Sequence, residues 1–283
     1  MSPYLLPAGL VQIAFSGGRT SAYMLHCILE ANGGLPDRAV VTFQNTGREM
    51  PETLDFIAEV GRRWAVPVVW LEYLPAAPHF QIVSHNSAAR EGEPFEAMIR
   101  KKQYLPNQQQ RFCTIELKIR TAKRYLRSLG WDHWTNATGI RADEPARLVA
   151  KPIKDRWTNW HPLAAAGVSR HHVAAFWAAQ PFDLRLPNVS GNCWLGNCDG
   201  CFLKSEAHVA AFTRDFPERA AWWERMEFAV GQMSVAKGRT QADGRFSRRY
   251  SRAELRDFMA RQGDWALSTE GALCQTDDGE CMA

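Results

Sequence analysis

One short stretch, Ser16-Gly17-Gly18-Arg19-Thr20-Ser21, carries the residue types that an anion site needs. Paired glycines let the backbone turn tightly and bring amide N–H groups close to a charged oxygen. Ser16 and Ser21 add hydroxyl donors, and Arg19 can add charge. An apolar run over residues 9–15 precedes the stretch and a helical pattern follows it, so the free N–H groups and positive dipole end of that helix would face the same anion. The stretch is neither G-x-x-x-x-G-K-[ST] nor G-x-G-x-x-G. Taken alone, it also fits a tight strand-to-helix turn that binds nothing.

The second set of chemistry-bearing residues is made of thiols. Cys198-Asp199-Gly200-Cys201 is a C-x-x-C knuckle, with Cys193 shortly before it and Gly191, Gly196 and Gly200 permitting sharp turns. Soft thiolates at this density suit zinc or an iron–sulfur cluster, and Cys113 is the candidate for a further ligand. The plain alternative is a group of free or buried thiols. Cys27 falls inside a helical pattern and reads as core, while Cys274 and Cys281 lie near the end of the chain. Seven cysteines, an odd count with an asymmetric cluster, point to a reducing, cytoplasmic setting and away from a disulfide framework.

Alternating elements must position these groups. Strands are expected at residues 9–15, 39–43, 66–73 and 134–138, with helices at 21–30, 51–64, 115–129 and 171–179 between and after them. Pro51 suits a first helical turn. Residues 75–112, rich in Pro and Asn and with a Gln108-Gln109-Gln110 run, read as irregular. Residues 181–203 read as a loop region holding three cysteines, followed by helices at 206–216, 218–230 and 252–262. The pattern is that of an α/β protein: a mainly parallel sheet covered by helices on both faces, a three-layer sandwich of Rossmann-like type. It divides into a nucleotide-binding domain over residues 1–180 and a cysteine-containing, helical region over 181–283 packed on the first. Trp222, Trp223 and Trp265 are expected in the core.

The bulk numbers set the outer limits. Of 283 residues, 46% are hydrophobic and 23% charged, as in ordinary globular proteins, and the net charge of +4 suits a phosphate or sulfate ligand without itself implying nucleic acid. Lys237, Arg239, Arg245, Arg248, Arg249 and Arg252 form either an anion-facing patch or a solvated surface. No secretory signal is visible and no apolar run reaches membrane-spanning length, so no membrane partner is expected.

Four segments, in order, resemble the phosphoadenylyl-sulfate (PAPS) reductase family of the adenine-nucleotide α-hydrolase-like (PP-loop ATP pyrophosphatase) superfamily, whose fold is of the same Rossmann-like HUP type. Ser16 to Ser21 resembles its S-G-G-x-x-S loop. Phe43-Gln44-Asn45-Thr46-Gly47, continued by Pro51-Glu52-Thr53, resembles its second-strand signature. Cys113 to Arg120 resembles its cysteine-containing stretch before a basic helix, and Gly139-Ile140-Arg141-Ala142-Asp143-Glu144 its G-I-R-x-D-E segment. The resemblance implies an enzyme with an adenosine nucleotide (PAPS, adenylyl sulfate or ATP, the last with magnesium). Ser16, Gly17, Gly18, Arg19, Thr20 and Ser21 would hold the anionic end. Asn45, Thr46 and Gly47 would lie near the adenosine, and Gly139 and Arg141 near the anion, unless Arg141 forms an ion pair with Asp143 or Glu144. It further implies a [4Fe–4S] cluster on Cys113, Cys193, Cys198 and Cys201, with zinc as the alternative, although Phe112 stands where such reductases carry a second adjacent cysteine. Glu280-Cys281 resembles the terminal nucleophile motif, but Met282 replaces its glycine; Cys281 is thus either the nucleophile or an incidental tail thiol, with Cys274 as a possible resolving thiol.

Three readings follow. One is thiol-dependent reduction of the sulfonucleotide to sulfite, with thioredoxin or glutaredoxin as partner. Another is ATP-driven adenylylation with sulfur or amide transfer to a tRNA base, a DNA base or a small molecule. The third is a nucleotide-sensing module without catalysis.

Overall fold

The computed structural model describes residues 2–149, 155–189, 192–193 and 195–262. Cys274, Cys281 and Trp265 lie outside the described residues, as does the side chain of Cys193.

The sheet grows from the segments with the strongest apolar runs. β1 (Val11–Ala14) is buried along its whole length and lies inside a six-stranded sheet. With β2 (Ala39–Asn45), β3 (Val68–Tyr73), β4 (Phe80–Val83), β5 (Trp134–Ala137) and β6 (Trp157–Trp160), the order is β4-β3-β2-β1-β5-β6. Every pairing is parallel except β3 with β4. The chain winds from β1 outward through β2 and β3, then returns to place β5 on the other side of β1. The β1/β5 junction is therefore the topological switch point, where crossovers leave in opposite directions and a crevice opens.

Helices cover the sheet: α1 (Arg19–Asn32), α2 (Pro51–Arg63), α3 (Glu93–Lys102), a π-helix over Thr114–Arg120 running directly into α4 (Thr121–Ser128), the single turns α5 (Pro145–Leu148) and α6 (Pro162–Ala165), and α7 (Arg170–Ala178). After a two-stranded ribbon, β7 (Asn188–Val189) with β8 (Asn192–Cys193), come α8 (Glu206–Asp215), α9 (Pro217–Ala236) and α10 (Arg252–Gln262). One apolar cluster runs from Val11 and Ile13 through Phe56, Trp177 and Phe182 to Phe212, Trp222 and Phe246. Trp222 and Trp223 are core, as expected, edge-to-face with each other and packed on Phe95. Among the described residues no helix is long and apolar enough to cross a membrane.

Several expectations need correction. Residues 75–112 are not wholly irregular: they hold β4 and α3. β4 is a four-residue edge strand whose Gln81 and Ile82 are exposed, so it lacks the apolar alternation that marks a half-buried strand. β6 escaped for the same reason, with Thr158 and Asn159 exposed between two tryptophans. The helix expected at 115–129 begins as a π-helix, its wide turn marked by Thr121 Oγ1 donating to Glu116 O. The basic residues near 245 form a paired surface. Arg245 meets Glu254, Arg249 meets Glu206, and Arg252 is turned inward to donate to Gly200 O.

Candidate functional site

The Ser16–Ser21 turn sits at the C-terminal end of β1. Gly17 has φ +83°, and a Cβ there would come within 2.7 Å of Ile57 Cδ1 and 2.8 Å of Thr53 Cγ2, so glycine is required both by the backbone conformation and by the close approach of α2. Gly18 is the N-cap of α1. No side chain caps that end and no acidic residue lies in its first turn. The positive end of a 14-residue helix is thus left without a counter-charge of its own. Ser16 Oγ and Ser21 Oγ are 2.9 Å apart, and Ser21 Oγ also donates to Gly18 O, which holds both hydroxyls in the turn.

Arg19 and Arg141 are engaged with protein groups. Arg19 forms a two-point ion pair with Asp183, at 2.7 and 2.5 Å. Arg141 is almost wholly buried, 2.9 Å from Asp143 Oδ1, and its Nη1 donates to Thr20 Oγ1 at 3.2 Å. The ion pair weighed for Arg141 is therefore present, and it anchors the β5 side to the first turn of α1. Gly139 is buried between β5 and Ile140.

Beside this turn, at the switch point, lies a cavity of about 870 Å³. One wall is the sheet: Gln12, Ala14, Gln44, Asn136 and Asn159. The other is the basic helix, with Lys118, Ile119, Ala122 and Lys123, and Arg111 and Arg147 also reach it. Ser16 lines it, no Asp or Glu among the described residues does, and its volume suits a small-molecule ligand. His161, also lining the cavity, contacts Thr138 Oγ1 at 2.6 Å; burial, reinforced by Arg147, lowers its pKa and keeps it neutral near pH 7. The basic character of the π-helix and α4 was legible in the sequence. That Lys118 and Lys123 face a cavity was not, because that depends on which side the helix packs.

Asn45, Thr46 and Gly47 do not line the cavity; the structure places them in a buried staple. Asn45 Nδ2 donates to Glu72 Oε1 at 2.6 Å and to Ala89 O, while its Oδ1 accepts from Gly47 N. Thr46 donates through both its amide and its hydroxyl to Glu49. A Cβ on Gly47 would meet Gly92 Cα at 2.9 Å. Burial pushes the Glu49 carboxyl up, and Lys118 opposes that shift.

The C-x-x-C knuckle docks onto this staple. Cys198 pairs with Glu49 in an isolated antiparallel bridge, and its Sγ is 3.3 Å from Thr46 Oγ1. Burial, and then Glu49, push the Cys198 thiol far above its ordinary range. Asp199, fully buried, accepts from Arg48 at 2.6 Å, Arg219 at 2.7 Å, Trp223 Nε1 at 2.8 Å and Gly200 N at 2.7 Å. Sequence reading passed over this carboxylate because its side-chain partners come from two other segments, Arg48 and the helix α9 that carries Arg219 and Trp223.

Cys113 is the N-cap of the π-helix, and Cys201 follows Cys198 in the knuckle. Among the described residues no group of three or more His, Cys, Asp or Glu side chains is placed to hold a metal ion. The described donors thus do not by themselves fit a [4Fe–4S] cluster or a zinc ion, and the fourth expected ligand, Cys193, has its side chain outside the described set.

The phosphoadenosine phosphosulfate reductase domain model matches residues 11–181. The chain is 32% identical over 213 residues to the "Uncharacterized nin region protein ORF290" of Escherichia phage lambda, covering 72% of this chain and 69% of the phage protein. A phosphoadenylyl-sulfate reductase of Candida auris, solved as a phosphate complex, overlaps 65% of this chain and 82% of its own, with TM-score 0.40 and 13% identity. On the extent of the family match, which takes in the Ser16–Ser21 turn and both walls of the cavity, the chain belongs to the phosphoadenosine phosphosulfate reductase domain family.

Proposed function

We propose that this protein is an enzyme that binds an adenosine nucleotide in the switch-point cavity, its anionic end at the Ser16–Ser21 turn, and reduces adenylyl sulfate or its 3′-phosphorylated form to sulfite. The observation that carries the nucleotide part is the uncapped, acid-free start of α1 opening beside a cavity lined by Arg111, Lys118, Lys123 and Arg147. Backbone amides and the hydroxyls of Ser16 and Ser21 would receive phosphate or sulfate oxygens; the cationic wall would neutralise the remaining charge. Arg19 and Arg141 would act at one remove, holding the turn through Asp183 and Thr20.

Reduction needs a thiolate. A cysteine sulfur attacks the sulfate sulfur, an S–S bond forms, and the S–O bond to the phosphate breaks with its electron pair leaving on the nucleotide. A dithiol protein of the thioredoxin or glutaredoxin class then attacks the cysteine sulfur and is oxidised to a disulfide, and sulfite leaves with the two electrons. Among the described residues no cysteine lines the cavity, and the Cys198 thiol is pushed up by burial and by Glu49. Cys281, the thiol that the family resemblance nominates, is the candidate.

The absence of a described thiol from the cavity also favours a second reading, ATP cleavage to pyrophosphate with adenylylation of an acceptor. Purified protein is to be incubated with PAPS and adenylyl sulfate plus thioredoxin, and separately with ATP and magnesium. Sulfite release that disappears in Cys281→Ser supports reduction. Pyrophosphate without sulfite replaces it with the second reading. No association with any adenylate defeats both.

A further inference from the structure

Helix α4 walls the cavity with one side and lines an open groove with another. Ala122, Tyr125 and Leu126 are buried in a cluster with Leu71, Trp131 and Trp134. Away from that cluster stand Arg120, Lys123, Arg124 and Arg127, at the spacing that puts side chains on one helix face. The stripe runs about 10 Å along the axis. With Pro78 and Phe80 it lines a groove of about 440 Å³, and no Asp or Glu among the described residues does so.

The stripe carries more positive charge than its protein partners offset. Glu116 alone faces Lys102, Arg120 and Arg124, at 2.8, 2.7 and 3.9 Å. Asp132 is shared by Arg127 and Arg156, and Asp155 is taken by Lys123 at 2.7 Å. Six cations thus meet three carboxylates. The basic residues near 245 differ, since Arg245 and Arg249 each have a carboxylate of their own. Arg120 and Arg127 are 53% and 40% exposed, and pairs so exposed are weak, so phosphate oxygens can replace the carboxylates at little cost.

Aromatic rings interleave with this charge. Phe80 is half-buried, its ring edge-on to Tyr125 at 5.9 Å. On the cavity side, Lys123 Nζ lies 5.9 Å over the ring of Trp157, which is half-buried and lines the cavity. Cations beside partly exposed rings suit a single strand, with phosphates on the charge and bases on ring faces. A duplex hides its base faces, and an acidic peptide leaves the rings unused.

We propose that this groove binds single-stranded nucleic acid, its phosphates on Arg120, Arg124 and Arg127 and a base on Phe80. Lys123 lines both spaces and joins the path of the strand to the cavity. The proposal goes beyond the adenylate reading and does not depend on it.

The test is fluorescence anisotropy of the full chain with labelled oligothymidylate and oligouridylate of about twelve nucleotides. Binding of either supports the proposal, and the tighter one identifies the sugar. Log affinity should fall with log salt at a slope of about −2, the value for three phosphates of a single strand. Arg120→Gln with Arg127→Gln should weaken binding at least about tenfold and make the slope shallower by about 1. AMP affinity should stay within about twofold in that variant, which keeps this proposal separable from the adenylate reading. Arg120→Gln alone, at the most exposed position, should give about a threefold loss if the double variant fails to fold. Phe80→Leu keeps an apolar side chain but removes the ring, and should cost at least about fivefold with the slope unchanged. As a control of equal charge, Arg245→Gln with Arg249→Gln should change strand affinity by less than about twofold. An equal loss in that control, or no binding of either strand, overturns the proposal. So does displacement by a duplex or by polyglutamate as effective as by unlabelled strand; the latter would assign the face to an acidic protein.

Discussion

Two neighbouring strand ends of one sheet have been put to opposite uses. After β1, Ser16 lines a cavity, and the start of α1 beside it has no side-chain cap and no acid in its first turn. After β2, Asn45 bonds to Glu72, Ala89 O and Gly47 N, Thr46 bonds to Glu49, and the Cys198 thiol lies against Thr46. Both ends carry polar residues and a glycine at positive φ, so composition does not separate them. What separates them is satisfaction: a site for ligand keeps donors in reserve, whereas a staple closes its own accounts with protein partners. The lesson is that a motif resembling a family signature can sit beside a cavity without lining it.

The comparison can be broken most severely at the staple. Asp199→Ala removes the carboxylate that Arg48, Arg219 and Trp223 share, leaving the Arg48 guanidinium buried without its ionic partner. A loss of about 3–5 kcal/mol is expected by urea unfolding, the scale for stranding a buried charge. A loss under about 1 kcal/mol would show that the network is not closed as described.

At the β1 end the damage should fall on binding. Gly17→Ala forces a side chain into the left-handed region and against Ile57 and Thr53, costing about 1–3 kcal/mol of local strain. Adenylate affinity is expected to drop by at least about tenfold, measured by calorimetry, and an unchanged affinity would detach the turn from the ligand.

Glu49 gives the pH test. Its carboxyl pKa is raised in the folded protein, by burial first, so the folded state holds a proton that the unfolded chain releases at lower pH. The associated stability is fully present below the ordinary carboxylate pKa and is lost as pH rises through the elevated one. Glu49→Gln cannot ionise. Its stability relative to the unaltered protein should therefore improve as pH rises from 4 to 7 in urea titrations. A constant difference across that range would mean Glu49 titrates normally.

The smallest effect is expected at Arg19. Its pair with Asp183 is partly exposed, so Arg19→Ala should cost about 1 kcal/mol of stability and change adenylate affinity by less than about threefold. A loss of tenfold or more would place its charge on the ligand instead.

Local features were the readable ones. β1, the Ser16–Ser21 turn and α1 follow one another within a few residues, so apolar run, glycine pair and helical spacing sufficed to mark an anion-binding geometry. The start of α1 was misjudged by two residues because Gly18 caps it without a side chain. β4 and β6 were missed because exposed strand residues carry no apolar alternation. The contact of Cys198 with Thr46 joins segments about 150 residues apart, a separation no local pattern encodes.

Residue types in order were enough to establish the alternating α/β architecture, the glycine-dependent turn and the family to which the chain belongs. Only the folded arrangement decided that Asn45 bonds to Glu72 and Thr46 to Glu49, that Lys118 and Lys123 face a cavity, and that Gln12 and Gln44 both meet Thr42. The physical reason is the range of the interactions. Backbone conformation and helix polarity act over a few residues, while hydrogen-bond satisfaction depends on whatever the packing of distant segments brings within about 3 Å.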